Sequence, residues 1–458
     1  MLTRLRFENF KSWPSADIKC GKITGIFGTN SSGKTSLLQF LLLMKQTKDA
    51  TDRATALELN ADLVQLGTFT DVIHRHDENQ QLDWTMEFAL PKPLVLNAAS
   101  GSGTVEVARG DSLEIGAQVS GGPKAAPQTR RLSYALGDAN FSLKQKNGPN
   151  SQFEIEVSGA SNGFEFKRNQ GRAWQLPNPS RSYAFPDQAR TYYQNSAFLS
   201  DLEKAYETVL DRIYYLGPLR EFPKRDYLWA RSKPTDVGKQ GERWIDAILA
   251  ATESDICMNL VHKGRKKPFQ EIVAHWLKQL DLIDSFEVRE IGTNSNRYQA
   301  WVRAKKFAPE VLLTDVGFGV SQVLPVITLL QYVPEGSTVL LEQPEIHLHP
   351  LAQAALADVL IQAATHRRVQ IIMESHSEHL LLRLQRRVAE GGEGGIRAED
   401  VKLYFCDAPR GESKLTELDL NLFGTITNWP SQFMGDAFGE AAKAETARIK
   451  RMMASQAA

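Results

Sequence analysis

The segment 28–36, GTNSSGKTS, carries the residues best suited to chemistry, because it matches the phosphate-binding loop G-x-x-x-x-G-K-[ST]. It follows an apolar stretch typical of a buried strand and precedes an apolar helical stretch, as this motif requires. Glycines let backbone N–H groups curl around phosphates, and the helix N-terminus adds partial positive charge. Lys34 would neutralise the outer phosphates and Thr35 would hold a magnesium ion. The predicted nucleotide contacts in this loop are Gly28, Asn30, Ser31, Ser32, Gly33, Lys34, Thr35 and Ser36.

A second pattern is VLLEQPE at 339–345, an apolar strand that ends in acidic residues. In proteins with this phosphate loop, a metal-holding carboxylate follows such a strand, which makes Glu342 a predicted magnesium ligand together with Thr35. In isolation the pattern fits a strand capped by solvated acids equally well, and the phosphate loop is what favours a functional site. His376 follows another apolar strand in MESHSEH, where an isolated histidine would more often be a core or surface residue.

Composition and charge describe an ordinary globular chain of 458 residues, 42% hydrophobic and 24% charged. These values exclude disordered, collagen-like and coiled-coil classes. Lys plus Arg number 54 and Asp plus Glu number 54, so a nucleic acid or an acidic membrane would have to be met by a local patch. Three distant cysteines and an N-terminus without a signal-peptide pattern predict a reducing, cytoplasmic location. The apolar stretches 37–44 and 316–333 are predicted to be buried helices, not membrane spans.

Hydrophobic periodicity predicts an α/β fold whose core is built from both ends of the chain. Short apolar strands at 23–28, 339–341 and 369–373 are typical of a parallel central sheet. The Gly- and Ser-rich stretches 97–103 and 120–129 are predicted to be loops, and the C-terminal tail a fraying surface helix. The predicted division of the chain is an N-terminal core part at 1–80, a β-rich insertion at 81–195, a helical subdomain at 196–285, a C-terminal core part at 286–410 and an extension at 411–458.

The motifs, in their order, resemble those of the ABC-type ATPase heads of chromosome-maintenance, recombination-repair and OLD-like bacterial AAA ATPases. The opening LRFENFKSW, the phosphate loop, DVGFGVSQVLPV, EQPEIHLHP and ESHSEHLLLRL carry this resemblance. TNWPSQF, at 427–433, is similar to a bacterial subgroup with a C-terminal domain of unknown function. The fold implied is a P-loop NTPase head of the ABC-ATPase type, with an inserted antiparallel β subdomain and a helical subdomain.

The resemblance also implies roles for single residues. Glu342 becomes the Walker B acid and His376 the switch histidine that senses the γ-phosphate. In such heads two subunits enclose two ATP molecules, and a signature loop closes on the nucleotide of the partner. The residues expected to act in this way are Gly317, Gly319 and Ser321, although DVGFGVSQ departs from LSGGQ. Gln65 is a candidate Q-loop residue or a plain surface glutamine.

Gln343 stands where many ABC heads place the catalytic glutamate. Glutamine can orient a water molecule but cannot accept its proton. Either Glu345 takes over that task, or hydrolysis is slow enough for ATP to act as a clamp. We predict magnesium-dependent ATP hydrolysis at a turnover below ~1 per second.

The segment between Thr35 and Gly317 lacks coiled-coil heptads, and the segment after His376 is short for a fused nuclease domain. A separate effector protein is therefore expected. The favoured hypothesis is the ATPase subunit of an antiphage defence module, similar to Septu- and PARIS-type ATPases, that forms a homo-oligomer around ATP and controls a nuclease or toxin.

Two alternatives remain. One is an ATP-dependent DNA clamp in repair, and the other is a nucleotide-dependent scaffold. The candidate DNA contacts are Lys263, Arg265, Lys266, Lys267, Arg220, Lys224 and Arg225. The first four also fit a solvated basic loop between helices, and the Pro-flanked position of Arg220 indicates a structural or nucleotide-edge role.

Overall fold

Within the described part of the chain, the strands form four sheets. The structure is a computed structural model that describes residues 1–101, 103–122, 125–145, 153–171, 175–260, 264–293, 295–392, 395–430 and 443–448. The strands are β1 (Leu2–Phe10), β2 (Trp13–Lys19), β3 (Ile23–Gly28), β4 (Leu82–Ser100), β5 (Gly103–Gly122), β6 (Ala125–Leu136), β7 (Ala139–Gln145), β8 (Phe153–Ser158), β9 (Ile213–Leu216), β10 (Tyr227–Leu228), β11 (Cys257–Asn259), β12 (Lys266–Pro268), β13 (Ser285–Glu290), β14 (Arg297–Arg303), β15 (Glu310–Leu312), β16 (Thr338–Glu342), β17 (Gln370–Glu374), β18 (Val401–Asp407) and β19 (Lys414–Leu418).

The helices mostly lie between strands of the core or in the predicted helical segment. They are α1 (Lys34–Asp49), α2 (Phe69–Val72), α3 (Asp187–Tyr192), α4 (Leu199–Asp211), α5 (Trp244–Glu253), α6 (Phe269–Gln279), α7 (Phe318–Tyr332), α8 (Pro350–His366) and α9 (Glu378–Glu390). Of the two apolar stretches predicted to be buried helices, 37–44 lies within α1 and 316–333 contains all of α7, and the side chains of both helices are largely buried. Among the described residues no helix combines the length and the apolar character needed to span a membrane.

A seven-stranded antiparallel sheet has the order β2-β1-β4-β5-β6-β7-β8. The first two strands come from the predicted N-terminal core part and the others from the predicted β-rich insertion, so the division at residue 80 does not follow the sheet. In β4 the side chains of Leu82, Trp84, Met86 and Phe88 alternate with more exposed neighbours and are buried. This period of two places one face of the sheet against the core.

The two Gly- and Ser-rich stretches predicted to be loops are mostly strand, and that prediction was wrong. Ala98 pairs with Val105 across the β4–β5 hairpin, and Val119 pairs with Thr129 between β5 and β6. The Ala98 side chain is 2% exposed. Small side chains allow close packing between these strands. Pairing with the neighbouring strands therefore outweighs the preference of a Gly- and Ser-rich composition for loops.

The second large sheet has six strands in the order β19-β18-β3-β17-β16-β9. All neighbouring pairs are parallel except β18 with β19. The predicted parallel strands are thus β3, β16 and β17, at the centre of the sheet. Strand β9 comes from within the segment predicted to be helical, so that segment also contributes to the ATPase core.

The helical segment is divided between two hydrophobic cores. Helix α4 packs on the seven-stranded sheet, where Tyr206 stacks on Trp84 with ring centroids 6.5 Å apart. Helices α5 and α6 instead pack with α7. Of the predicted C-terminal helix, residues 443–448 are helical and exposed, and the rest of the tail lies outside the described residues.

Candidate functional site

The phosphate loop joins the end of β3 to the start of α1, as predicted. Two of its glycines have conformations that other residues rarely adopt. Gly28 has φ 146°, and a Cβ atom there would lie 2.1 Å from the carbonyl oxygen of Cys406. Gly33 has φ 87°, and a Cβ atom there would lie 2.4 Å from Oγ of Ser413. Both positions therefore require glycine.

Neighbouring segments hold the loop from two sides. The indole N–H of Trp13 donates to the Gly33 carbonyl oxygen at 3.0 Å, and Ser32 Oγ donates to the Thr29 carbonyl oxygen at 2.8 Å. Ser413 Oγ donates to Ser12 Oγ at 2.6 Å, which links the β18–β19 connection to the β1–β2 turn. Sequence reasoning missed Trp13, although it belongs to the opening LRFENFKSW.

Lys34 brings a buried positive charge to the loop. Its side chain is 3% exposed, and Nζ donates to the Thr29 carbonyl oxygen at 2.6 Å. Desolvation lowers the pKa of this amine, and the nearby carboxylate of Glu374 opposes that shift. Asn30 and Ser31 are exposed at the tip of the loop. This arrangement suits an anionic ligand that approaches the tip.

Thr35 contacts an acidic residue that the sequence reasoning did not select. Its Oγ1 donates to Oε2 of Glu374 at 2.8 Å. Glu374 ends β17 and is 4% exposed, and burial raises the pKa of its carboxyl group. The available signal was that QIIME, like TVLLE, is a short apolar strand ending in glutamate.

Glu342 ends the neighbouring parallel strand β16, in register with Glu374. The hydroxyl group of Tyr215, in β9, donates to its Oε1 at 2.8 Å. Burial raises the pKa of Glu342 to about 7, and Glu374 adds to the shift while Tyr215 opposes it. Two buried carboxyl groups thus lie side by side at the carboxyl edge of the parallel strands.

A buried arginine fixes the turn that follows β16. Arg220 is 6% exposed and donates to the carbonyl oxygens of Glu342 and Gln343 at 3.1 and 3.2 Å. Gln343 has φ 43°, and its N–H donates to the Glu374 carbonyl oxygen at 2.9 Å. Burial lowers the pKa of Arg220 to about 10, while the carboxylates of Glu345 and Glu342 oppose this shift. These contacts make Arg220 a structural support of the predicted Walker B turn.

The backbone of His376 contacts the carboxylate of Glu345. The His376 N–H donates to Oε1 of Glu345 at 2.8 Å, while Oε2 of Glu345 has no partner among the described atoms. Glu345 is 5% exposed, and burial raises its pKa. The His376 side chain is exposed, and its pKa is lowered by desolvation and then by the charge of Lys34.

The signature residues begin α7 and contact the segment after β16. A Cβ atom on Gly319 would lie 2.9 Å from the His347 carbonyl oxygen, and the Phe318 ring meets His347 edge-on at 5.1 Å. Ser321 Oγ donates to the Phe318 carbonyl oxygen, and Gly317 precedes the helix. No hydrogen bond in the described region joins these residues to the phosphate loop of the same chain.

Gln65 is exposed, and its backbone forms a bridge with Asn60. In the described part of the chain no hydrogen bond joins it to the phosphate loop, so the structure does not bring this candidate to the site.

The basic candidates fall into separate groups. Lys266 and Lys267 lie between α5 and α6, as predicted, but in β12 of a two-stranded hairpin rather than in a loop, and Lys263 lies outside the described residues. Arg225 pairs with Asp315 at 2.9 Å. The remaining candidates differ: Arg265 is exposed, Lys224 pairs with Glu221, and Arg220 is buried in the turn described above.

The residues of the loop fit a nucleotide with magnesium. Lys34 and the N–H groups at the start of α1 suit phosphates, and Thr35 offers a hydroxyl oxygen beside Glu374. No three His, Cys, Asp or Glu side chains of the described chain lie close enough to hold a metal by themselves. Magnesium commonly binds through one or two protein groups, water and substrate phosphates. When bound, it would offset phosphate charge beside Thr35.

Family models cover most of the chain. The model described as "AAA domain, putative AbiEii toxin, Type IV TA system" matches residues 113–383, more than half of the chain. The chain belongs to this AAA domain family. The AAA ATPase domain model matches residues 1–206, and the model described as "Protein of unknown function (DUF3696)" matches residues 396–443. The last of these matches includes the TNWPSQF stretch at 427–433 of this AAA-family ATPase. The chain has an α/β P-loop ATPase head fold with the phosphate loop and both buried acids at one sheet edge.

Solved structures similar to this AAA-family ATPase include three SMC head domains. One, an SmcHead bound to the C-winged helix domain of ScpA, is 13% identical with a TM-score of 0.48 and covers 92% of this chain and 98% of its own. The SMC head domain from Thermotoga maritima is 10% identical with a TM-score of 0.40 and covers 91% and 99%. A third, the Smc head with an extended coiled coil bound to the C-terminal domain of ScpA from Pyrococcus furiosus, is 10% identical with a TM-score of 0.45 and covers 92% and 96%. No curated protein matches the sequence.

Proposed function

We propose that this chain is a slow, magnesium-dependent ATPase that dimerises head to head around ATP and controls a separate nuclease or toxin in a bacterial antiphage defence system. The observation that carries the proposal is the continuous set of contacts around the phosphate loop. Thr35 contacts Glu374, the Glu374 carbonyl oxygen accepts from Gln343, and the carboxylate of Glu345 accepts from His376. We infer that these contacts pass a change at the nucleotide to the surface that carries His376.

Slow turnover follows from the groups near the predicted site of hydrolysis. Gln343 cannot accept a proton, and one oxygen of Glu345 already accepts from the His376 backbone. Glu345 is the remaining candidate base, because its Oε2 has no partner in the described region. Because this base is buried and one of its oxygens already accepts a hydrogen bond, we expect slow proton abstraction from water and long-lived bound ATP.

The signature helix supports a dimer. Gly317, Gly319 and Ser321 do not reach the phosphate loop of their own chain, so the proposed contact with ATP requires a second subunit. Two aromatic side chains flank the start of α7 on the surface: Phe222 is 73% exposed, Phe318 is 37% exposed, and their ring centroids lie 5.3 Å apart. Clustered exposed aromatic residues are typical of interface centres.

The control of an effector is supported by the family description and by the build of the chain. That description names a toxin of a toxin–antitoxin system, which agrees with a role in a defence module. Between α1 and α7 the described residues form sheets and helices of the head itself rather than a long coiled coil. A partner protein would then provide the effector activity.

The proposal is tested by isolating the tagged chain from its own cells with ATP present and measuring native mass and composition. We expect an ATP-dependent dimer with a stoichiometric second protein, both lost in Lys34→Ala. Lys144→Ala is the matched control, because Lys144 forms a surface ion pair with Glu156 on the β sheet. Phage resistance conferred by the gene with its neighbours should also depend on Lys34. Resistance that is unchanged in Lys34→Ala would contradict the defence role.

A DNA clamp is the second candidate, and one observation favours it. Arg265, Lys266 and Lys267 form no ion pair with any described residue, so their charges are available to phosphates. Phosphate contacts release counterions, and affinity then falls steeply with salt. DNA binding that weakens with salt and with Lys266→Ala would favour the clamp, whereas binding that is absent at low salt would exclude it.

A further inference from the structure

Two parallel strands of the core end in glutamate at the same level. Glu342 and Glu374 are register partners on β16 and β17. Strand β17 lies between β16 and β3, the strand that leads into the phosphate loop. Glu374 is therefore one strand away from β3, and Glu342 is two strands away. Because neighbouring strands are about 4.8 Å apart, the backbone of Glu374 is the nearer of the two to β3.

The two carboxylates have different partners. Glu374 Oε2 accepts a hydrogen bond from the Thr35 hydroxyl, with the two oxygens 2.8 Å apart. Glu342 instead accepts from the Tyr215 phenol at 2.8 Å, and Tyr215 is in β9, which lies on the side of β16 away from β3 and the phosphate loop. The acid predicted from the motif is therefore not the acid that contacts the predicted metal ligand.

A threonine hydroxyl has one proton and two lone pairs. Donating the proton to Glu374 fixes the rotation of the hydroxyl and leaves its lone pairs for a cation. A carboxylate beside a ligand oxygen also increases the negative charge that the cation meets, and such outer partners commonly change metal affinity by ~10–100-fold. Glu374 can supply both effects without touching the metal.

We propose that Glu374 is the positioning acid of the magnesium site and acts through the Thr35 hydroxyl, whereas the motif names Glu342 as the acid of this site. The proposal rests on the nucleotide binding of the proposed function. The segment ESHSEH would then contain both the metal-positioning acid, Glu374, and the predicted switch histidine, His376. Glu374 also accepts the Gln343 N–H through its carbonyl oxygen, so the same residue links the metal side of the loop to the turn after β16.

The test measures Mn²⁺ binding to the full chain with a non-hydrolysable ATP analogue, by electron paramagnetic resonance of free Mn²⁺. Glu374→Gln keeps an oxygen that can accept from Thr35 but removes the charge. We expect it to weaken Mn²⁺ binding by at least ~10-fold, while Glu342→Gln weakens it by less than ~3-fold. Analogue binding in EDTA should stay within ~2-fold of wild type for both. The reverse order of the two variants would overturn the proposal.

Further variants separate positioning from folding. In a Thr35→Val background, Glu374→Gln should have little additional effect, because the hydroxyl through which it acts is absent. Glu374→Asp keeps the charge but shortens the reach, and its affinity should fall between wild type and Glu374→Gln. Full additivity with Thr35→Val would overturn the proposal, as would Glu374→Asp binding Mn²⁺ no better than Glu374→Gln. If the wild-type chain does not bind the analogue in EDTA, the proposed function fails independently of Glu374.

Discussion

The phenol of Tyr215 donates a hydrogen bond of 2.8 Å to the Glu342 carboxyl group, and both groups are largely buried. Tyr215→Phe would leave that oxygen without its donor. A buried acceptor that loses its partner costs about 1–3 kcal/mol. We expect Tyr215→Phe to lower the free energy of unfolding by this amount in urea denaturation. In a Glu342→Leu background the cost should shrink, and an equal cost in both backgrounds would contradict the contact.

Arg220 and Arg225 lie in the same segment, between β9 and β10, and differ in burial, so their alanine variants can be compared directly. Arg220→Ala removes the donor to the carbonyl oxygens of Glu342 and Gln343, and with it a positive charge that acts on Glu345. Breaking such a buried set costs ~3–5 kcal/mol, whereas an exposed pair contributes ~0–1 kcal/mol. Arg225→Ala removes only an exposed pair with Asp315. Chemical denaturation should separate the two variants by at least ~2 kcal/mol, and equal stabilities would contradict this role of Arg220.

The raised pKa of Glu342, about 7, predicts a pH dependence of stability. Between its ordinary pKa of about 4.3 and 7, the folded chain keeps a proton that the unfolded chain has released. Glu342 therefore lowers the free energy of unfolding as the pH rises through that window. The decrease is at most about 1.4 kcal/mol per pH unit.

Glu342→Gln removes this contribution. The stability of the variant relative to wild type should increase by roughly 1–3 kcal/mol between pH 4.5 and 7.5, measured by denaturation at each pH. Glu253→Gln makes the same substitution at an exposed residue and is the control. A relative stability of Glu342→Gln that is constant across this range would show that the pKa is not raised.

The local motifs were predictable because their chemistry is local. The phosphate loop, the strands that end at Glu342 and Glu374, and the buried helix α7 all follow from short patterns of glycine, acid and apolar residues. The contact between Glu345 and the His376 backbone was not predicted, because 31 positions separate the two residues and only the folded chain brings them together.

Other features depend on long-range pairing that a single sequence does not show. Strand β9 has four residues within a helical segment and is identified by its place beside β16. The strands around Ala98 have a loop-like composition and are held by their neighbours. Glu374 was passed over because the motif already provided an acid at Glu342, and only the strand order shows which of the two lies beside Thr35.

The exposed aromatic pair at the start of α7 gives a prediction for assembly. Phe318→Ser should weaken the ATP-dependent dimer by at least ~10-fold, because truncating a central aromatic side chain in an interface commonly costs ~2 kcal/mol or more. Analytical ultracentrifugation with the non-hydrolysable analogue measures this. Phe423→Ser is the control. Phe423 is an exposed phenylalanine, 81% exposed, and its neighbour Gly424 contacts α9 rather than α7. A dimer equally sensitive to both substitutions would contradict a specific role for α7.

Hydrolysis itself depends on which residue after β16 accepts the proton. Glu345→Gln keeps an oxygen that can accept from the His376 N–H but removes the base, so turnover should fall by ~10²-fold or more while the ATP-dependent dimer persists. Gln343→Glu adds a carboxylate where many ABC heads carry one, and turnover should rise above the wild-type value. Steady-state phosphate release measures both, with Lys34→Ala as the inactive reference. If Glu345→Gln hydrolyses ATP at the wild-type rate, Glu345 serves only to hold the His376 backbone. If it loses hydrolysis and phage resistance together while keeping the dimer, turnover is required for function and a purely structural ATP clamp is excluded.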